Sequence, residues 1–454
     1  MMDKLFYFLR SYVISRSVFV FFQPTYHGLL ALAGAILYNF PSRGLVVVGV
    51  TGTNGKSTVV EILHQLFTGA GYKTASLSSV RFKIGEEEVE NRFKMTMPGR
   101  FFVQQFLARA RKAGVTHVIL EVTSEGIKQF RHKHINFYAA VLTNLTPEHI
   151  EAHGGFENYK RAKGELFRAL DGKGISVVNL ADKNADYFLS FPASRRVGYA
   201  LDLRFPPLLK LRRAGTIHDS RIEKEITPSN YEITDKGITM RFSEGWEVFA
   251  PLMGKFNAEN MLASITVAEE LGISHETMRK VFPEFRGVPG RMEEIRGGGI
   301  RVIIDYAFTP NALRQVYETL ADSRWQIADG KRRLICVLGA AGGGRDKWKR
   351  PELGKIAGEY CNHVIITNED PYDENPRTIM EDVARGATLG DAPYEIIEDR
   401  RLAIRSAIAD AKSGDAVIVT GKGCESAIAV AGGKRIPWDE RKVVREELEK
   451  HEAV

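Results

Sequence analysis

Cysteine is scarce. Cys336, Cys361 and Cys424 are the only three, an odd number with no CxxC pair. That argues against a disulfide framework or a thiolate zinc site, and it fits a reducing cytosol. Basic runs are also missing. The net charge of +7 is modest for 454 residues, and no long Lys/Arg tract interleaves with aromatics. No nucleic-acid partner is therefore expected. The mild positive balance suits anionic small substrates or an anionic membrane surface equally well. No small-residue cleavage site follows an apolar core near the start, so no signal peptide is expected. The apolar run at 28–38 is only about eleven residues long, too short for a full membrane span. There is no internal repeat and no low-complexity tract. The remaining composition, 44% hydrophobic and 26% charged, is that of a globular chain with two or three domains.

One stretch organises what is there. Val46-Val47-Val48-Gly49-Val50-Thr51-Gly52-Thr53-Asn54-Gly55-Lys56-Ser57-Thr58 joins a β-branched apolar run to a Gly-rich turn. A helical pattern follows, with Val59, Ile62, Leu63, Leu66 and Phe67 on one face. Gly52 and Gly55 let backbone N–H groups, including those of Thr53, Asn54 and Thr58, converge on phosphate oxygens. The helix N-terminus adds positive potential. Lys56 can reach β/γ-phosphates and the Ser57 hydroxyl can ligate Mg²⁺. The strict G-x-x-x-x-G-K-[ST] spacing is not met, because Gly49 lies one residue too early. The competing reading is a Gly-rich turn with a surface lysine, and the flanking strand and helix favour the nucleotide.

The chain around this loop reads as α/β. Strands are expected at 45–50, 115–122, 138–142 and 175–179, with helices between them at 100–112 and 159–169, the pattern of a mostly parallel sheet. Residues 200–250 read as a small antiparallel excursion, and 256–271 as a helix. The run 283–291, with Gly287, Pro289 and Gly290, is punctuated like a linker. A second alternation follows, with strands at 300–305, 333–339, 363–367, 394–397 and 416–420. Its helices are expected at 309–321, 351–360, 377–385 and 400–411, and a charged helix from 441 ends the chain. Ahead of everything, residues 5–22 are rich in aromatics, and 23–27 break them from the apolar run. Three readings of this arm stay open: helices packed on the catalytic body, an interfacial anchor, or a hairpin-like insert. Packing or interfacial contact is favoured over spanning.

Three constellations point to chemistry. Glu121 closes the apolar strand Val118-Ile119-Leu120, where a second Mg²⁺ contact belongs beside a phosphate loop. Polar Thr123, Ser124, Gln129 and Arg131 follow it, which makes a merely solvated strand-end glutamate the weaker reading. The stretch 143–154 carries two histidines and two glutamates after a strand, and His149 is placed either as a metal ligand or as a structural histidine. Lys163, from its spacing alone, reads as an exposed helix lysine.

Taken in order, these stretches resemble the Mur ligases, the ATP-dependent amide-forming enzymes of peptidoglycan precursor synthesis. The resemblance rests on the phosphate loop, Glu121-Val122-Thr123-Ser124, Thr143-Asn144-Leu145, Ala162-Lys163 and Gly254-Lys255-Phe256-Asn257 with Asn260. It continues in Val288-Pro289-Gly290-Arg291, Asp305-Tyr306-Ala307, Gly344-Arg345-Asp346-Lys347, Asp370-Pro371 and Gly421-Lys422-Gly423-Cys424-Glu425. It is strongest to the branch that adds the third amino acid of the stem peptide. The resemblance implies an α/β fold: a short arm at 1–44, a central ATP-binding domain at 45–285 with a mostly parallel sheet, and a Rossmann-like C-terminal domain at 286–454. It implies ATP and Mg²⁺ as cofactors and a muramoyl-peptide-like acceptor and a free amino acid as partners; the cysteine count and the apolar arm add the expectation of a cytoplasmic place, peripheral to the membrane's inner face. It implies roles as well. Lys56 and Ser57 hold phosphates and a first Mg²⁺ with Glu121; His149 holds a second; Lys163 is carbamylated and supplies an anionic oxygen. Asn257 and Asn260 lie near adenine, and Arg291 and Asp305 near phosphates and ribose. Thr96, Thr123, Gln129 and Arg131 contact the acceptor. Arg345, Glu369, Asp370, Tyr372, Gly421 and Glu425 contact the amino acid.

The pattern departs in places. About 44 residues precede the loop, where relatives carry a uridine-binding domain of roughly ninety residues, shorter than a usual domain. The expectation is that this domain is missing or replaced, with membrane-surface contact through residues 1–40 and an acceptor that is lipid-linked. Diaminopimelate-adding members show Asp-Asn-Pro-Arg where this chain has Glu369-Asp370-Pro371-Tyr372. A tyrosine cannot make the arginine's bidentate contact to a distal carboxylate, so diaminopimelate is not assigned and lysine or another amino acid stands beside it. The alternatives are a folylpolyglutamate-synthase-like ligase and a membrane-associated nucleotide-binding protein without ligase activity. Lys56, Glu121, His149 and Lys163 together argue against the latter.

Overall fold

The computed structural model describes residues 16–93, 95–148, 150–202, 221–321 and 333–452. Helix α1 (Arg16–Leu37) comes first. It runs through 23–27, where the sequence reads as a break. Proline removes one N–H and one helical bond, and here the helix is held by packing against a neighbour rather than by propensity.

The chain then builds a nine-stranded sheet. Its elements are β1 (Val46–Thr51), α2 (Lys56–Gly69), β2 (Thr74–Leu77), β3 (Arg81–Ile84), β4 (Glu87–Glu90), α3 (Arg100–Lys112) and β5 (His117–Glu121). They continue with β6 (Ala139–Leu142), α4 (Phe156–Arg168), β7 (Ile175–Asn179), β8 (Arg195–Tyr199) and β9 (Lys224–Ile226). The strand order is β4-β3-β2-β5-β1-β6-β7-β8-β9. All neighbours are parallel except β2–β3 and β3–β4. The central strand β1 is covered on both faces, which is why its sequence is a continuous apolar run rather than an alternation. The apolar stripe of α2 buries Val59, Ile62, Leu63, Leu66 and Phe67 against the sheet. The antiparallel excursion is β10 (Asn230–Ile233), β11 (Ile238–Arg241) and β12 (Glu247–Ala250), a separate three-stranded sheet.

Helix α5 (Lys255–Glu270) packs on α2 with Ala258, Met261, Leu262 and Ile265. It also carries Glu259, whose carboxyl is pushed up to about 7, chiefly by burial, with Asp182 adding and Lys255 opposing. A carboxyl with a raised folded-state value keeps a proton that the unfolded chain has lost, so stability falls as pH rises from about 4.5 to about 7. Glu259→Gln is therefore expected to stabilise the protein by about 2 kcal/mol at pH 8 and to leave it unchanged near pH 4.5. Thermal denaturation across that range checks it; a gap that does not change with pH would refute the burial argument.

After the Pro/Gly-punctuated run comes a second sheet: β13 (Glu293–Gly297), β14 (Ile300–Asp305), β15 (Leu334–Leu338), α6 (Lys349–Tyr360), β16 (His363–Ile366), β17 (Tyr394–Ile396) and β18 (Ala416–Thr420). Its order is β13-β14-β18-β15-β16-β17, antiparallel only at β13. The fold is thus α/β with two mostly parallel sheets. The expected strands all appear. The outer strands β2, β3 and β4 at one end of the nine-stranded sheet, and β8 and β9 at the other, carry no pattern strong enough to mark them in the sequence.

One expectation needs correction. Cys336 on β15 and Cys361 just beyond α6 form a disulfide, with 6.1 Å between Cα atoms. Their spacing of 25 residues suggests nothing. The two meet because α6 returns the chain to the strand beside β15, a contact made only by the tertiary fold. Among the described residues no helix is long and apolar enough to cross a membrane.

Candidate active site

At the carboxyl end of β1 the chain turns sharply into α2. Gly52 (φ 150°) and Gly55 (φ 83°) adopt left-handed conformations that favour glycine. A Cβ at Gly52 would run into the Thr143 hydroxyl, and one at Gly55 into the Asn260 amide. The loop is tied down from the segment after β6. Asn54 N–H donates to Asn144 Oδ1 (2.9 Å), and the Thr143 hydroxyl donates to Asn54 O (2.6 Å). Lys56 Nζ folds back across the loop onto Thr53 O at 2.8 Å. Burial lowers the Lys56 ammonium, while Glu121 pulls the other way.

Glu121, at the end of β5, is buried and faces the start of α2. Its Oε2 accepts from the Ser57 hydroxyl (3.0 Å) and from Ser79 N–H (2.8 Å). Among the described residues it has no cationic partner within salt-bridge distance. Lys163 does not behave as the exposed helix lysine its spacing suggests. It is 2% exposed on the inner face of α4, and its Nζ donates to Gly52 O at 2.6 Å. Nζ also lies 4.6 Å from the centre of the Tyr159 ring. Burial first, then the Lys56 ammonium, lowers the Lys163 amine well below its ordinary value. His149 lies outside the described residues.

Next to it stands Glu148, which the sequence placed only in a cluster without a role. It is 3% exposed; Oε1 accepts from Lys349 Nζ of α6 (3.3 Å), and Oε2 has no hydrogen-bond partner among the described residues. Burial pushes its carboxyl up, against the pull of Lys349. Asp346 adds to this link between the two sheets, accepting from Ile150 N–H (3.2 Å) and Glu151 N–H (3.0 Å).

On α5 the two asparagines pair, Asn260 Nδ2 to Asn257 Oδ1 at 3.1 Å. Arg291 stacks 4.4 Å from the centre of the Tyr306 ring. Asp305, at the end of β14, accepts from Met292 N–H (2.8 Å) and Ala307 N–H (2.7 Å), and burial raises its carboxyl to about 6. These groups line one cleft of about 370 Å³, together with Thr96, Thr123, Gln129, Arg131 and, from the second sheet, Arg345. Within it Arg131 donates to Gln129 Oε1 at 2.6 Å. Arg100, which the sequence did not single out, donates to Gln129 O (2.8 Å) and touches His27 of α1.

The remaining expected residues form an adjoining cluster rather than cleft lining. Tyr306 links the two, donating to Glu425 Oε1 at 2.8 Å. The buried Lys422 ammonium bonds Asp370 Oδ1 (3.0 Å) and Glu425. Glu369 packs against Gly421, and burial raises its carboxyl to about 6, with Asp370 adding. Tyr372 takes a positive φ of 51° beside Gly343. Lys349 and Ser79 carry no local signal, since each acquires its carboxylate partner across more than forty residues.

Comparison with known proteins agrees with this geometry. Residues 50–268 match the Mur ligase middle domain, and residues 290–423 match the Mur ligase glutamate ligase domain. A relative from Bacillus cereus, UDP-N-acetylmuramoyl-L-alanyl-D-glutamate--2,6-diaminopimelate ligase, is 33% identical over 439 residues, covering 94% of this chain and 83% of its own. A solved structure of a ligase of that name is 28% identical, with a TM-score of 0.57 over 90% of this chain and 79% of that one. Folylpolyglutamate synthase of Mycobacterium tuberculosis, solved with ADP and AMPPCP, shares the fold at 19% identity, with a TM-score of 0.65 over 87% and 92% of the two chains. The chain belongs to the Mur ligase family of ATP-dependent amide-forming ligases.

Proposed function

We propose that this chain joins the amino group of a free amino acid to a carboxyl group of a muramoyl-peptide-like acceptor. The observation that carries this reading is the single cleft in which the phosphate loop, Gln129, Arg131 and Arg345 converge. A carboxylate is a poor electrophile, so it must be activated. Its oxygen attacks the γ-phosphorus of ATP, ADP leaves, and an acyl phosphate forms. The amine then attacks the carbonyl carbon, inorganic phosphate departs with the bonding pair, and the ammonium proton passes to solvent. Lys56 sits where charge gathers on the transferring phosphoryl group. Holding three reactants between two sheets supplies orientation.

Mg²⁺ belongs to this reading. The buried Glu121 carboxylate, without a cationic partner among the described residues and set against the Ser57 hydroxyl, is a hard-oxygen donor that with it suits the ion. When bound it would neutralise charge on the phosphate oxygens, with Ser57, Glu121, His149 and carbamylated Lys163 as its holders. Asn257, Asn260, Arg291 and Asp305 are assigned to the nucleotide, and Thr96, Thr123, Gln129 and Arg131 to the acceptor. Arg345, Glu369, Asp370, Tyr372, Gly421 and Glu425 are assigned to the amino acid. We read residues 1–44, 45–285 and 286–454 as arm, ATP-binding and C-terminal units. Residues 1–40 are read as contacting the inner membrane surface.

The test is ATP-dependent phosphate release across a panel of acceptors and amino acids, lysine and diaminopimelate included. Release that requires both a muramoyl peptide and an amino acid is expected. Release independent of both favours a nucleotide-binding protein without ligase activity, and use of a folate acceptor favours the folylpolyglutamate branch. A preference for diaminopimelate would overturn the weight placed on Tyr372.

A further inference from the structure

Over residues 28–37, helix α1 turns Leu29, Leu32, Ile36 and Leu37 away from the protein. Its inner face is made of small residues: Ala31 and Ala35 are buried, Gly28 lies over the Phe130 ring, and Gly34 lies over Phe101 and Gln104 of α3. Its outer face carries Leu29 (63% exposed), Leu32 (37%), Ile36 (60%) and Leu37 (67%). With Ala33 these follow the i, i+3, i+4, i+7, i+8 spacing of a continuous helical stripe. A surface helix ordinarily shows the reverse, with the apolar stripe inward and polar residues facing water. A contiguous exposed apolar surface marks an interaction site. Phe101 of α3, 38% exposed, continues it.

Charge decides what covers the stripe. From Lys4 to Val60 the chain contains no aspartate or glutamate, while Lys4, Arg10, Arg16 and Arg43 all lie in its first 44 residues. A second copy would set like charges against like. An anionic lipid surface suits both this charge balance and the apolar face. The helix is not apolar enough to cross a bilayer, so it lies on one. We infer that α1 docks in the plane of an anionic bilayer, inserting Leu29, Leu32, Ile36 and Leu37 among the lipid headgroups. This deepens the membrane contact proposed above and stands independently of the ligase chemistry. Because His27 on the same helix touches Arg100, docking brings the Gln129–Arg131 end of the cleft toward the lipid.

The experiment is flotation of the purified full-length chain with vesicles of phosphatidylcholine alone or mixed with phosphatidylglycerol. Wild type is expected to float with the mixed vesicles, less so at high salt. A variant with Leu29→Gln, Ile36→Gln and Leu37→Gln should lose about a hundredfold in partitioning while keeping its thermal midpoint. Failure of wild type to float with either vesicle overturns the proposal, as does a variant that floats like wild type. So does light scattering that shows a dimer for wild type and a monomer for the variant, since the stripe then covers a second copy. Ligase activity on a soluble acceptor is measured separately; its absence with flotation intact refutes the proposed reaction and leaves the docking standing.

Discussion

Lys163→Ala is expected to lower ligase turnover by about three orders of magnitude, the scale seen when a group stabilising developing charge is removed. An ammonium held inside the protein is disfavoured, and Lys56 nearby disfavours it further, so the Lys163 amine sits well below its ordinary value. Both effects favour the neutral amine over the ammonium. Its lone pair can attack CO₂, the amine proton leaves to water, and the carbamate gains one negative charge at a site facing the loop carbonyl of Gly52. The carbamate oxygens would stand beside Lys56 and Glu121, where Mg²⁺ is proposed. Acetate or formate added to Lys163→Ala should restore part of the activity by filling the space with an anion. Lys163→Met, which keeps the volume without the charge, should be as inactive as the alanine variant and as stable as wild type. Full turnover in either variant would refute the carbamate role.

The second large effect is expected at the contact between the two sheets. Lys349 and Glu148 are both almost fully buried, and among the described residues each is the other's only ion-pair partner. Removing one partner of such a pair leaves a buried charge without compensation and costs about 3–5 kcal/mol. Lys349→Met should therefore cut turnover by at least about a hundredfold, because the stranded carboxylate opposes apposition of the two halves of the cleft. Glu148→Gln alone strands the ammonium, although Phe308, 5.0 Å from Lys349 Nζ at its ring centre, softens that loss. The double variant should be less impaired than the two single losses added together, with a coupling of about 2 kcal/mol. Steady-state kinetics on all four proteins measure this. Strict additivity would mean that the pair does not act as a unit.

Much of this site was legible in the chain because it is local. The loop needs only consecutive residues: a β-branched run, two glycines free to take left-handed angles, then Lys56 and Ser57 at the first turn of a helix. Glu121 could be placed because a strand ends at it. Lys163 could be assigned a role through family resemblance alone. Its 3.6-residue helical context looks like any surface turn, and only the approach of Gly52, 111 residues away, makes it buried.

By itself the sequence determined the phosphate loop, the two α/β alternations and the family, since these depend on short-range geometry and on the order of motifs. The tertiary structure alone decided the rest. It paired Glu148 with Lys349 across two sheets, set Ser79 against Glu121, joined Cys336 to Cys361, and turned Leu29, Leu32, Ile36 and Leu37 of α1 outward. Each of these depends on which surfaces meet, and the small inner residues of α1 show why. Gly28, Ala31, Gly34 and Ala35 let the helix approach its neighbours closely, and that approach leaves Leu29, Leu32, Ile36 and Leu37 to face out.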